Sequence, residues 1–107
     1  MKILTKAILN KLPKLGDTAE LEAKDVKVHL KIFNPYGAGT WYITEFDKEE
    51  GRAFGYVNLC GSDMAELGYI DVNELLSYRN RMGLGFERDA HFGDHTLEEV
   101  MQSGGTI

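Results

Sequence analysis

The sequence predicts an α+β domain in which a four- or five-stranded, mainly antiparallel sheet carries two or three short helices. Three observations carry that prediction. Val26, Val28, Leu30 and Ile32 alternate with Lys27, His29 and Lys31, the period-two pattern of a half-buried strand. Three more strand-like stretches follow it across short polar turns, which makes antiparallel neighbours in a meander the simplest arrangement. Two later stretches, Asp71 with Glu74 and Thr96 with Glu99, have the spacing of a helix-opening capping box.

The elements follow in order. Thr5 is placed to cap a short helix with an apolar stripe of Ile8, Leu9 and Leu12, which Pro13 ends. Lys14 to Ala23 reads as a loop with a turn at Asp17–Glu20. After the first strand, Asn34 to Gly39 is dense in turn formers. Thr40 to Phe46 is the second strand, with Trp41, Ile43 and Glu45 on one face and Tyr42, Thr44 and Phe46 on the other. Both faces are partly apolar, as in a central strand covered on two sides. Asp47 to Arg52 is a polar turn, Ala53 to Leu59 a third strand and Ala65 to Ile70 a fourth. Val72 to Arg81 is expected as a helix with Gly83 at its C-terminal end, Phe86 to Phe92 as a fifth strand, and Leu97 to Gln102 as a last helix. The helices are expected on one face of the sheet, and the tail SGGTI is expected to fray.

The 107 residues, 43% hydrophobic and 27% charged, amount to a single domain over 1–107 with one modest core. No apolar run reaches the roughly 20 residues of a membrane span, and the first residues lack a signal-peptide cleavage site, so the cytoplasm is the expected compartment. Cys60 is the single cysteine, which rules out an intrachain disulfide and a thiolate-rich zinc site. The formal charge of −5 argues against a phosphate-backbone binder. The basic residues gather early, at Lys2, Lys6, Lys11, Lys14, Lys24, Lys27 and Lys31, whereas the acidic excess lies beyond residue 44.

The candidate site residues are acids and aromatics of the strands. Glu45, Asp47, Glu66, Glu87 and Asp89 lie in or beside strands; converging carboxylates bind Mg²⁺ for phosphate-ester hydrolysis. The simpler role is an ion pair in which Arg88 reaches Glu45 or Glu66. Trp41 and Tyr69 complete the binding candidates; several exposed tyrosines together would anchor a protein partner. His91 and His95, with Asp89 near, have the i, i+4 spacing of zinc ligands on a helix, but Phe92-Gly93-Asp94 places them across a strand end and a turn. Gly83-Leu84-Gly85 lacks the third glycine of a dinucleotide loop, and no nucleophile–base set is evident. No catalytic residue and no cofactor is therefore assigned.

The order LTKAILNKLP, KIFNP, TWYITEFD, AFGYV, ELGYIDVNEL, GLGFERDAHF and TLEEV resembles the bacterial and phage family catalogued as domain of unknown function 2958. WYITEFD, ELGY and ERD are its most specific pieces. The resemblance implies an α+β fold and a small protein of plasmids, integrative elements or phages, with no catalytic residues to carry over.

Together these features favour a non-enzymatic binding domain with a protein partner and no membrane. It would serve a mobile element, as an inhibitor or counter-defence factor whose acidic surface mimics nucleic-acid phosphates. The alternatives are a metal-dependent hydrolase of phosphate esters and a nucleic-acid-binding accessory that uses the Lys-rich first strand.

Overall fold

The computed structural model describes residues 2–107; Met1, part of the expected domain over 1–107, lies outside them. Helix α1 (Lys6–Lys11) is followed by β1 (Lys27–Val28), β2 (Leu30–Phe33), β3 (Thr40–Asp47), β4 (Arg52–Asn58) and β5 (Glu66–Asp71). Helix α2 (Val72–Ser77), β6 (Glu87–Arg88), β7 (His95–Thr96) and α3 (Leu97–Gln102) complete the order, with single 3-10 turns at Ala23–Asp25 and Ser62–Met64. The fold is α+β. Its main sheet has five strands in the order β5-β4-β3-β2-β6, every neighbouring pair antiparallel. β2 to β5 form the expected meander, and β3 is the central strand.

The local signals work as elementary chemistry requires. The Thr5 hydroxyl accepts from the Ile8 amide at 3.2 Å, and Thr96 and Glu99 satisfy each other's orphan amides in a full capping box. Asp71 caps α2 by accepting from the Glu74 amide. That helix ends at Ser77, earlier than expected, and Gly83 closes a separate turn by donating to the Asn80 carbonyl.

Two cores share the sheet. Leu30, Ile32, Trp41, Ile43, Phe46, Ala53 and Ile70 form one with Val72 and Leu75 of α2, and Ile8 and Leu9 of α1 pack on it. Tyr42 and Tyr56 form the other with Val26, Val28, and Leu97 and Val100 of α3. The helices therefore cover both faces, not one as expected. A five-strand sheet with an apolar central strand offers two surfaces to bury, and the chain is long enough to cover both.

The first strand is also not one piece. Val26 to Ile32 breaks at His29: Lys27–Val28 pairs with β7 in a separate two-stranded sheet, and Leu30–Phe33 joins the main one. Phe86 to Phe92 likewise shortens to Glu87–Arg88, because Asp89 accepts from the His91 amide and turns the chain. The tail does not fray. Ile107 packs on the second core, its main-chain oxygen accepts from the Lys31 ammonium at 2.5 Å and from the Tyr42 hydroxyl at 3.0 Å, and Asn58 donates to the Gly104 and Gly105 carbonyls. No helix of the described residues is long and apolar enough to cross a membrane.

Candidate functional site

The most unusual feature of β3 is where it bends. Its register with β4 runs from Ile43 opposite Gly55 directly to Glu45 opposite Phe54, which leaves Thr44 as the extra residue of a β-bulge. The Thr44 hydroxyl donates to the Phe54 carbonyl at 3.1 Å and so holds the bulge. A one-residue insertion exchanges the faces of everything after it. Phe46 thereby enters the first core beside Trp41 and Ile43, and Glu45 turns to the opposite face, the reverse of simple alternation. Gly55 makes this possible. A Cβ there would overlap the Tyr42 carbonyl oxygen, so only glycine lets β4 approach.

Glu45 is 5% exposed, yet its carboxylate is fully engaged. One oxygen accepts from the Gly16 amide at 2.9 Å; the other accepts from the Thr18 amide at 2.9 Å and from the Thr18 hydroxyl. Burial alone would push the carboxyl upward, but the hydrogen bonds from the Thr18 side chain and the Gly16 and Thr18 amides outweigh it and hold the group below its ordinary range. Such a carboxylate is a poor general base. It ties the loop after α1 to the sheet.

That tethered loop is one wall of a groove of about 410 Å³. The floor is Phe54 of β4 with Leu67 and Tyr69 of β5, and α3 supplies the opposite wall through Leu97 and Met101. Leu21 stands on the loop wall. Tyr69 is 70% exposed, Leu21 50% and Leu67 42%. Tyr69 meets Phe54 edge-on at 5.3 Å, and the Arg52 guanidinium lies 5.7 Å from the Tyr69 ring centroid. Two neighbours hold the ring while most of its surface stays open to solvent. The groove borders β5, which among the described residues pairs with β4 alone and leaves its outer edge unpaired.

The other candidates scatter. Trp41 is buried in the first core, tilted against Phe86 at 4.7 Å. Asp47 accepts from the Glu49 and Glu50 amides in the β3–β4 turn. Glu66 lies on β5 and Glu87 on β6, the opposite edges of the sheet, four strand spacings or roughly 19 Å apart. Arg88 reaches neither Glu45 nor Glu66; it donates to the Lys2 and Ile3 carbonyls at 2.7 and 2.9 Å. Asp89 pairs with Lys31 at 3.4 Å. His95 contacts Glu99 at 3.3 Å and the Phe92 ring, whereas His91 is exposed on the turn. Among the described residues no three His, Cys, Asp or Glu side chains come together as metal ligands, so the convergence that the phosphate-ester hydrolase requires does not occur.

Of the expected surface residues, Tyr69 lies in the groove and Glu45 beneath its loop wall. Leu21, Phe54, Leu67 and Met101 carried no chemistry of their own; the available signal was Leu67 and Tyr69 sharing one face of AELGYI. Lys31 was also missed. It is a half-buried anchor, sharing the Ile107 oxygen with Tyr42, whose hydroxyl is pushed up to about 12 by burial and by Asp89.

Comparison with known proteins adds a family and one relative. The chain belongs to the family described as "Protein of unknown function (DUF2958)", which matches residues 3–102. It is also 36% identical over 92 aligned residues to the phenylalanine–tRNA ligase beta subunit of Trichormus variabilis (strain ATCC 29413 / PCC 7937). That match takes in 68% of this chain and 11% of the relative, so the chain spans about a ninth of the relative's length. No solved structure matches.

Proposed function

We propose that this member of the DUF2958 family is a protein-binding module whose contact surface is the groove over β4 and β5. The exposure of Leu21, Leu67 and Tyr69 around one groove is the observation that carries this reading, because scattered surface apolars need no explanation but contiguous ones do. Binding here needs no catalytic group and no cofactor. The acidic excess beyond residue 44 favours a basic partner, and the finer form of the proposal is an inhibitor or counter-defence factor of a plasmid or phage that occupies a nucleic-acid-binding surface.

The test is a tagged pull-down from nuclease-treated bacterial lysate, eluted in rising salt, with wild type and Leu67→Glu run side by side. A stoichiometric protein retained by wild type and lost with Leu67→Glu supports the module. Equal retention by both removes the groove from the proposal. Nucleic-acid competition for the captured partner separates phosphate mimicry from plain apolar docking.

A second reading has its own support. The relative is named as a tRNA ligase subunit, and Lys6, Lys11 and Lys14 make no ion pair among the described residues. Lys27, by contrast, is paired with Asp94 at 2.8 Å and Lys31 with Asp89. A nucleic-acid accessory would therefore use α1 and not the first strand. An oligonucleotide shift that Lys6→Ala with Lys11→Ala abolishes would favour it.

A further inference from the structure

The two glycines that face each other across β4 and β5 raise different questions. Gly55 is required by the close approach of Tyr42. Gly68, its register partner, is required by nothing within the chain: a Cβ there would meet no atom within 4 Å, and its φ lies outside the left-handed region. Glycine weakens a strand interior, and where it does so without an internal cause it marks the place where another backbone or side chain comes close. Gly68 is at the centre of the unpaired edge.

We infer that β5 receives an extended segment of another protein as an added antiparallel strand; this rests on the protein-binding reading of the same groove and names its partner's form. β5 offers six residues of edge, Glu66-Leu67-Gly68-Tyr69-Ile70-Asp71, beginning and ending in an acid. The charges specify the occupant. A second copy of this chain would bring to this edge the same two acids and no Lys or Arg on β5 to meet them. A partner strand with Lys or Arg at both ends meets both acids. Opposite Leu67 and Tyr69 it needs apolar side chains, which extend the groove floor beyond the edge. Opposite Gly68 it has room for a large side chain on the other face. Read from its own N-terminus, the segment is basic, any residue, apolar, large, apolar, basic.

The experiment is to pan a displayed random decapeptide library against the full chain and synthesise the enriched sequences. Amide hydrogen exchange with and without peptide then maps the contact. The expected result is an alternating apolar segment flanked by basic residues that protects β5 amides. Its affinity falls at least about tenfold when the peptide's edge-facing amides are N-methylated, which removes the ladder but keeps the side chains. Gly68→Val should melt no lower than wild type yet bind at least about tenfold more weakly. Peptides that protect the loop and α3 but not β5, or that tolerate N-methylation, overturn strand addition and leave the protein-binding module standing. A β5-mediated dimer in sedimentation replaces the occupant with a second copy and overturns the charge argument. Unchanged affinity in Gly68→Val overturns the close approach at that position. If no peptide is enriched, the added strand falls, and the Leu67→Glu pull-down decides the protein-binding reading separately.

Discussion

The main sheet ends differently on its two sides. On one side β6 is two residues long, and Arg88 ropes it to the Lys2 and Ile3 carbonyls. Short, charged and tied down, that edge has the features by which natural sheets avoid further pairing. On the other side β5 runs for six residues with no strand paired to its outer edge among the described residues, next to an apolar groove. The surroundings differ in charge as well. Lys11 and Lys27 act on His29 near β6, whereas Glu66 and Asp71 bound β5. The chain protects one edge and leaves the longer one open beside exposed Leu67 and Tyr69, the side on which the proposed recognition surface lies.

The sharpest way to break this contrast is at the facing glycines. Gly55→Ala forces a methyl into the Tyr42 carbonyl and dismantles the bulge, with an expected loss of more than about 3 kcal/mol. Gly68→Ala, one strand outward, should cost nothing and gain up to about 1 kcal/mol. Urea unfolding of the two variants measures both. Equal losses would mean that Gly68 is also held by the fold, and the open edge would lose its clearest mark.

Glu45 comes next. Glu45→Ala leaves the Gly16 and Thr18 amides without their acceptor and should cost about 2–3 kcal/mol. It should also free the loop wall of the groove, visible as faster amide exchange over residues 14–25. The pH dependence has a definite sign. The folded carboxyl titrates below its ordinary 4.5, so its contribution is fully present above about pH 4.5 and is lost as pH falls through the lower folded value. In Glu45→Gln that acid-side loss should be shallower than in wild type. An identical acid limb would show that the tether is neutral to folding.

These two positions also show what the sequence made legible. Alternation in Val26–Ile32 and TWYITEFD, turn residues between strands, and the Thr5, Asp71 and Thr96 caps are local signals, and local signals located the meander and all three helices. The bulge is different. One extra residue at Thr44 is set by the fit of β3 to β4, so the faces of Glu45 and Phe46 were misread although both residues were correctly placed in a strand. Arg88 and Lys31 were misread for the same reason: their acceptors are main-chain oxygens of Lys2, Ile3 and Ile107, more than seventy residues away in the chain and without any side-chain signature. The groove was legible only as Tyr69; its walls come from two segments that the sequence separates widely, the loop near Leu21 and α3.

Arg88→Ala tests the protected edge. Two hydrogen bonds to carbonyls are lost, for a cost of about 1–2 kcal/mol, and amides of residues 3–4 and of β6 should exchange faster while those of β5 stay as they were. If β5 exchanged faster by the same factor, the two edges would be coupled through the sheet and could not be treated as independent ends.

The smallest expected effect is electrostatic and reads the field on the protected side. His29 titrates below the ordinary imidazole value of 6.5, because burial disfavours the imidazolium and Lys27 and Lys11 add like charge. Within two residues of it, Lys27 is itself paired with Asp94 and Lys31 with Asp89, so part of the positive field is already offset. The unfolded chain takes up the proton first, so native stability declines as pH falls from about 6.5 through the folded value. An NMR titration of the His29 ring should place its midpoint below 6.5. Added salt should move it only part of the way back, since screening acts on the lysines and not on burial, the larger cause. Lys11→Ala should shift it upward by less than salt does, since it removes one of two cations. A midpoint that salt returns fully to 6.5 would assign the whole effect to charge and make the edge near β6 more exposed than its packing implies. A midpoint that ignores both salt and Lys11→Ala would leave burial alone, and with it no electrostatic difference between the two edges.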